Sequence, residues 1–93
     1  MFACVLEAEL RLPGARSLKD RRRVIKSVKE RLKKRFNAAV IETGDKDKWQ
    51  TAGLGVCFLS ERKSDAERLA QQALSFILGD YRLEVTRHTV TVH

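Results

Sequence analysis

The chain has one proline and five glycines in 93 residues, and no uncharged run longer than the stretch from Trp49 to Ser60. A bilayer-spanning helix needs ~20 predominantly apolar residues, so no membrane segment is expected. Glu7 and Glu9 interrupt the first apolar run and no cationic region precedes it; a secretory leader is therefore not expected, and a cytoplasmic protein is. Cysteine is limited to Cys4 and Cys57, without CxxC or Cys/His spacing, and both sit in apolar strand-like runs where the thiol acts as a small hydrophobe. Histidine is limited to His88 and His93, too isolated to form a metal site or a triad. Walker, dinucleotide-binding and nucleophile-elbow motifs are all missing, so no catalytic residues, cofactor or metal site can be assigned. Asp45 and Asp47 form a D-x-D, but Lys46 and Lys48 flank it and no glycine or distant glutamate completes a calcium loop.

What the chain does have is charge of one sign in one place. Residues 16–36 hold eleven of the nineteen Lys and Arg and only two acids, Asp20 and Glu30. That segment carries +9 of a formal +7, leaving the other seventy-two residues at −2. A length of 93 residues, 43% hydrophobic and 33% charged, fits one small folded domain over the whole chain.

Hydrophobic periodicity divides the chain into six elements. Phe2 to Leu12 alternates, with Cys4, Leu6, Ala8 and Leu10 on one side and Val5, Glu7 and Glu9 on the other, which predicts a half-buried strand. Pro13-Gly14 ends it. Ser17 then serves as N-cap of a helix with Asp20 in capping-box position, and Leu18, Ile25, Val28, Leu32 and Phe36 form its apolar stripe until Asn37. Ala38 to Thr43 and Trp49 to Ser60 read as a hairpin around the polar turn Gly44–Lys48. Ser64 to Glu67 reads as a second capping box, opening a helix that runs to a left-handed cap at Gly79. Tyr81 to His93 reads as an edge strand whose alternation shifts phase midway. The order β-α-β-β-α-β predicts an α+β, ferredoxin-like sandwich: a four-stranded antiparallel sheet with two helices on one face.

On a wheel of the first helix, Lys19, Arg23, Lys26, Lys33 and Lys34 lie opposite the apolar stripe, with Arg22 and Lys29 at its border. Solvated helix faces ordinarily mix signs so that i,i+4 pairs form, whereas Glu30 is nearly the only acid here, and like charges one turn apart repel. A polyanion would offset that repulsion. RNA is the leading expectation, with Arg16, Lys19, Arg22, Arg23, Lys26, Lys29, Lys33 and Lys34 as nucleic-acid-binding residues, and the Gly14–Ser17 loop adding backbone donors at the helix N-terminus. Arg21 and Arg35 project toward the apolar side; they are expected to snorkel at the helix edge, with pairing to strand or turn carboxylates such as Glu42 favoured over a phosphate. Trp49 is expected to pack in the core, with stacking on a base as the alternative. The exposed sheet face lacks stacking aromatics and carries Glu7 and Glu9, so phosphate contact falls to the helix. That face, with Val90 and Val92, suggests a homodimer, and an acidic protein partner for the basic helix completes the alternative of an oligomeric interaction module.

Ser17-Leu18-Lys19-Asp20-Arg21-Arg22-Arg23, then Arg35-Phe36-Asn37, then Gly44-Asp45-Lys46-Asp47-Lys48-Trp49-Gln50 resemble the YlxP-like family of uncharacterised bacterial proteins. The resemblance runs from strand one through helix two. It implies a ferredoxin-like fold and a genomic setting shared with transcription and ribosome-maturation factors, hence RNA or the ribosome as partner. It supplies no catalytic residues.

Overall fold

A computed structural model describes residues 1–44 and 46–93. Its elements are β1 (Phe2–Arg11), α1 (Leu18–Phe36), β2 (Ala39–Thr43), β3 (Thr51–Ser60), α2 (Lys63–Leu78) and β4 (Glu84–Val92). The strands form one antiparallel sheet in the order β2-β3-β1-β4, the ferredoxin-like arrangement predicted from periodicity. The even-numbered residues of β1, Cys4 to Leu10, are buried beneath the helices with Leu54, Val56 and Phe58 of β3. Ile25, Val28 and Leu32 of α1 close this core from above. Along α2 the buried stripe is Ala66, Ala70, Ala73, Leu74 and Ile77, and its three alanines let that helix lie close to the sheet. Burial raises the Cys4 thiol above its ordinary value, with the Glu67 charge adding to the effect, which keeps it protonated and inert.

Helix α1 begins as expected. Ser17 is its extended N-cap and its Oγ accepts from the Asp20 N–H at 3.1 Å. The Asp20 carboxylate reaches past the cap to accept from Arg16 N–H at 3.1 Å, while Ala15 N–H donates to the Leu12 carbonyl. Asn37 ends the helix at φ 50°, a left-handed position that asparagine tolerates.

Helix α2 departs from expectation at both ends. Its first helical bond runs from Ala66 N–H to the Arg62 carbonyl, so Arg62 is the N-cap and Ser64 lies inside the first turn. Ser60 Oγ accepts the Arg62 N–H instead, and Asp65 pairs with Arg68. Gly79 is right-handed at φ −78°, not left-handed, because the chain turns one residue later: Asp80 N–H donates to the Ile77 carbonyl, and the Asp80 carboxylate accepts from Arg82 N–H.

The phase shift in β4 is a bulge. Glu9 pairs with Arg87 and Leu10 with Val85, leaving Thr86 as the extra residue, whose Oγ1 donates to the Glu9 carbonyl at 3.1 Å. The bulge returns Val85 to the helix-covered side, the same side that Val90 and Val92 reach opposite Leu6 and Cys4. Val90 and Val92 therefore pack against the core, and the expectation that they lie on the open face is corrected. The open face of β4 presents Arg87, Thr89 and Thr91.

Among the described residues one charged side chain is fully buried. Arg21 is 1% exposed, its Nε donating to the Thr51 carbonyl at 3.0 Å and its guanidinium pairing with Glu42 at 3.3 Å. Glu42 and Val40 are the β2 residues turned toward α1, so the pair ties the helix to the hairpin. The pairing with Glu42 is as expected, whereas snorkelling is not: at this position the helix lies too close to the hairpin for the head group to reach water. Removing one partner strands a buried charge, at a cost of about 3–5 kcal/mol, whereas replacing both with apolar groups is close to neutral. In urea unfolding, Arg21→Met should lower stability by about 3 kcal/mol and the double variant Arg21→Met/Glu42→Leu should regain most of it. An unshifted midpoint for the single variant would contradict this role.

Candidate nucleic-acid interface

Burial of Arg21, Ile25, Val28 and Leu32 fixes the rotation of α1 about its axis. Nineteen residues at 1.5 Å each make a rod of about 28 Å. With that stripe inward, Lys19, Arg22, Arg23, Lys26, Lys33 and Lys34 are exposed, Lys29 is half-buried at the border, and Arg16 is exposed just before the helix. Glu30 is the acid on this face. Ion pairs among the described residues join Arg21 to Glu42, Arg68 to Asp65 and Arg82 to Asp80. None of the eight cations proposed from the sequence takes part in these three pairs.

The loop before α1 does not behave as expected. The N–H groups of Ala15 and Arg16 bond to Leu12 and Asp20, and the Asp20 carboxylate occupies the helix N-terminus where an anion would sit. Those two donors are not free to hold a phosphate. Trp49 is not in the core either: it is 51% exposed, beside Gln50, whose backbone carbonyl accepts from Leu12 N–H at 2.8 Å. Asp45 of the D-x-D lies outside the described residues, and no metal-ligand cluster occurs among the described ones.

Arg35 is exposed, with its guanidinium carbon 5.4 Å from the Phe76 ring centroid and 5.7 Å from that of Phe36. Its apolar-side projection is the edge position expected of it. Wheel position alone left Arg35 out of the candidate set; of its two ring contacts, that with Phe76 comes from α2.

The open sheet face offers phosphate little. A shallow depression of about 310 Å³ there is lined by Glu7, Glu9, Thr43, Arg87 and Thr89, with Thr89 donating to Glu7 at 3.4 Å. Gly53 and Gly55 lie beneath Thr43 and Ile41 of the neighbouring strand, and a Cβ on Gly53 would meet the Thr43 carbonyl oxygen at 2.9 Å. No aromatic side chain lies on this face opposite Glu7, Glu9 or the two glycines. Ile41 and Leu59, 63% and 65% exposed, are its large apolar groups. Among the described residues no helix is long and apolar enough to cross a membrane.

This arrangement is that of a ferredoxin-like α+β protein, and solved structures share it. The de novo designed protein LFR1 1 with ferredoxin fold matches with a TM-score of 0.55 at 17% identity, over 100% of this chain and 84% of that one. The de novo designed protein Foldit4 matches with a TM-score of 0.54 at 22% identity, over 98% and 96%. These likenesses carry the fold alone. The sequence places the chain more narrowly: residues 3–90 match the family described as Protein of unknown function (DUF503), and the chain belongs to that family. Uncharacterized protein YlxP of Bacillus subtilis (strain 168) is 34% identical over 71 residues, 76% of this chain and 77% of that protein.

Beside the cationic helix, one carboxylate is strongly engaged. Asp80 accepts from the Arg82 backbone N–H at 3.0 Å, from Nε at 2.9 Å and from Nη2 at 2.7 Å, and Arg82 also reaches Ser27 of α1 at 3.4 Å. The side-chain hydrogen bonds from Arg82 hold the Asp80 carboxyl below its ordinary 3.8, outweighing the opposing effect of burial, and the Arg31 charge adds to the lowering. A depressed carboxylate contributes stability that is complete above its unfolded value and lost as pH falls through the lower folded one. Asp80→Asn should therefore cost about 1–2 kcal/mol at neutral pH. In paired denaturation curves the gap between the two proteins should close below pH 3.8; a gap that persists unchanged in acid would refute the assignment.

Proposed function

We propose that this chain is a non-enzymatic RNA-binding or ribosome-associated accessory factor of the cytoplasm, in which α1 lies along a phosphate backbone. One observation carries the reading: Lys19, Arg22, Arg23, Lys26, Lys33 and Lys34 are exposed on one helix, with Lys29 at its border and Arg16 just before it, and none of them takes part in the ion pairs of Arg21, Arg68 and Arg82. Packing these cations together raises the local potential, and neutralising phosphate with them releases condensed counterions. The helix presents charge rather than base-reading geometry, so affinity is high for backbone and low for sequence. Trp49, exposed in the loop that Arg21 secures at Thr51, is available to stack on a base near the same end of α1.

A second reading is self-association through the open sheet face, favoured by the exposure of Ile41 and Leu59. It leaves the basic helix on the outside of such a pair and is compatible with RNA or an acidic protein there.

Electrophoretic mobility shift with structured ribosomal RNA at graded salt tests the first reading. If about four phosphates are neutralised, log affinity should fall with log salt at a slope of roughly −3 to −4. Combined Lys19→Glu, Arg23→Glu and Lys26→Glu changes should abolish binding with thermal unfolding preserved, because all three side chains are exposed. Undiminished affinity in that variant would falsify the α1 site.

A further inference from the structure

Beside the outward face of α1 runs an open groove of about 740 Å³ between the two helices, lined by Arg35 and Phe36 of α1 and by Arg68, Leu69, Gln72 and Phe76 of α2. Arg31 and Lys34 flank the same Phe76 ring. No carboxylate lines the groove among the described residues. Its floor is rigid. Phe36 packs edge-to-face against Phe76 at 6.0 Å and against the buried Phe58 at 6.2 Å, so the aromatic cluster is rooted in the core. Arg35 lies over both upper rings, within cation–π range, and takes part in no ion pair among the described residues.

The geometry points to this groove as a seat for an unpaired base of single-stranded RNA, stacked on the Arg35 guanidinium, while Arg31 and Lys34 take the neighbouring phosphates. The inference rests on the proposed reading of α1 as a phosphate-binding helix, and it names the form of strand that the helix prefers. Planar guanidinium groups and aromatic rings are the platforms on which unstacked bases lie, and a platform held in place before binding loses less entropy on use. Cations alone would suit any polyanion. A flat platform with an apolar flank at Leu69 and an amide at Gln72 suits a nucleobase, whereas an acidic peptide has nothing to place on it. A duplex, with its bases already stacked, cannot fill the groove.

Fluorescence anisotropy can compare a short oligouridylate, an abasic ribose-phosphate oligomer of equal length, a short RNA duplex and polyglutamate. The wild-type chain should bind the oligouridylate about tenfold more tightly than the abasic oligomer of equal charge. Arg35→Lys keeps the charge and removes the plane; it should erase that preference while leaving the salt slope and the thermal unfolding unchanged. Equal affinity of the wild type for base-bearing and abasic strands, or a preference that survives in Arg35→Lys, would overturn the groove while leaving the α1 reading intact. Binding of polyglutamate with no binding of any RNA would overturn both.

Discussion

The contact between Arg21 and the Glu42/Thr51 pair of acceptors decides how the rest of the molecule is used. There α1 meets the β2–β3 hairpin through charge, and the contact is almost wholly removed from water. A guanidinium suits the position because its fork can serve a carboxylate and a carbonyl at once, which an ammonium cannot do in fixed geometry. Once Arg21 is held inward, helical periodicity leaves Arg22, Arg23 and Lys26 no choice but the outside. The same bond holds Thr51, and through it the exposed Trp49 loop, at the N-terminal end of the cationic face. A buried ion pair is weak evidence of net stability, but it is strong at fixing which residues face which way, because the alternative orientations strand a charge.

The sheet complements this division. Its covered side is apolar and continuous, while its open side combines two glutamates with glycines that exist for their neighbours: Gly53 and Gly55 have no side chain because Thr43 and Ile41 lie over them. A face built in this way cannot present stacking aromatics at its centre, and its carboxylates disfavour phosphate. Positive potential and aromatic platforms therefore both fall on the helical side, the former along α1 and the latter where Phe36 meets Phe76. The two sides of the sandwich are specialised by composition, and the open one carries the exposed apolar groups Ile41 and Leu59 at its margins.

Most of the fold was legible because its signals are local and repeated. The alternation in β1, the Ser17 cap and the Asn37 stop each depend on a few adjacent residues, and all three hold. The failures share a cause in tertiary partners that sequence spacing does not reveal. Ser64 has the right neighbours for a cap, but the helix begins earlier, with Arg62 as its N-cap. Val90 and Val92 read as outward until the bulge at Thr86 sets their side of the sheet. Trp49 reads as core, yet it stands 51% exposed beside Gln50, whose backbone carbonyl pairs with Leu12. Within the candidate site, the outward cations could be named from the wheel because they are defined by what they avoid. Arg35 could not, because its place is defined by a ring on the other helix, forty-one positions along the chain.

The cationic face is costly to the helix that bears it. Lys19 and Arg23, Arg22 and Lys26, Lys29 and Lys33, and Arg31 and Arg35 are like charges one turn apart, each pair unfavourable by a few tenths of a kcal/mol. The dipole offsets part of this at the C-terminal end, where Lys33, Lys34 and Arg35 meet the free carbonyls, but at the N-terminal end only Asp20 carries the favourable sign. Burial of Ile25, Val28 and Leu32, each worth about 1.5–3 kcal/mol, exceeds the repulsion, so the helix forms regardless. The fold thus tolerates the charge without requiring it, and exchanging a few outer lysines for glutamates would relieve the strain at no cost to packing. That the cations outnumber what folding needs, on a surface apart from the ion pairs of Arg21, Arg68 and Arg82, is the physical reason for seeking their counterpart outside the molecule.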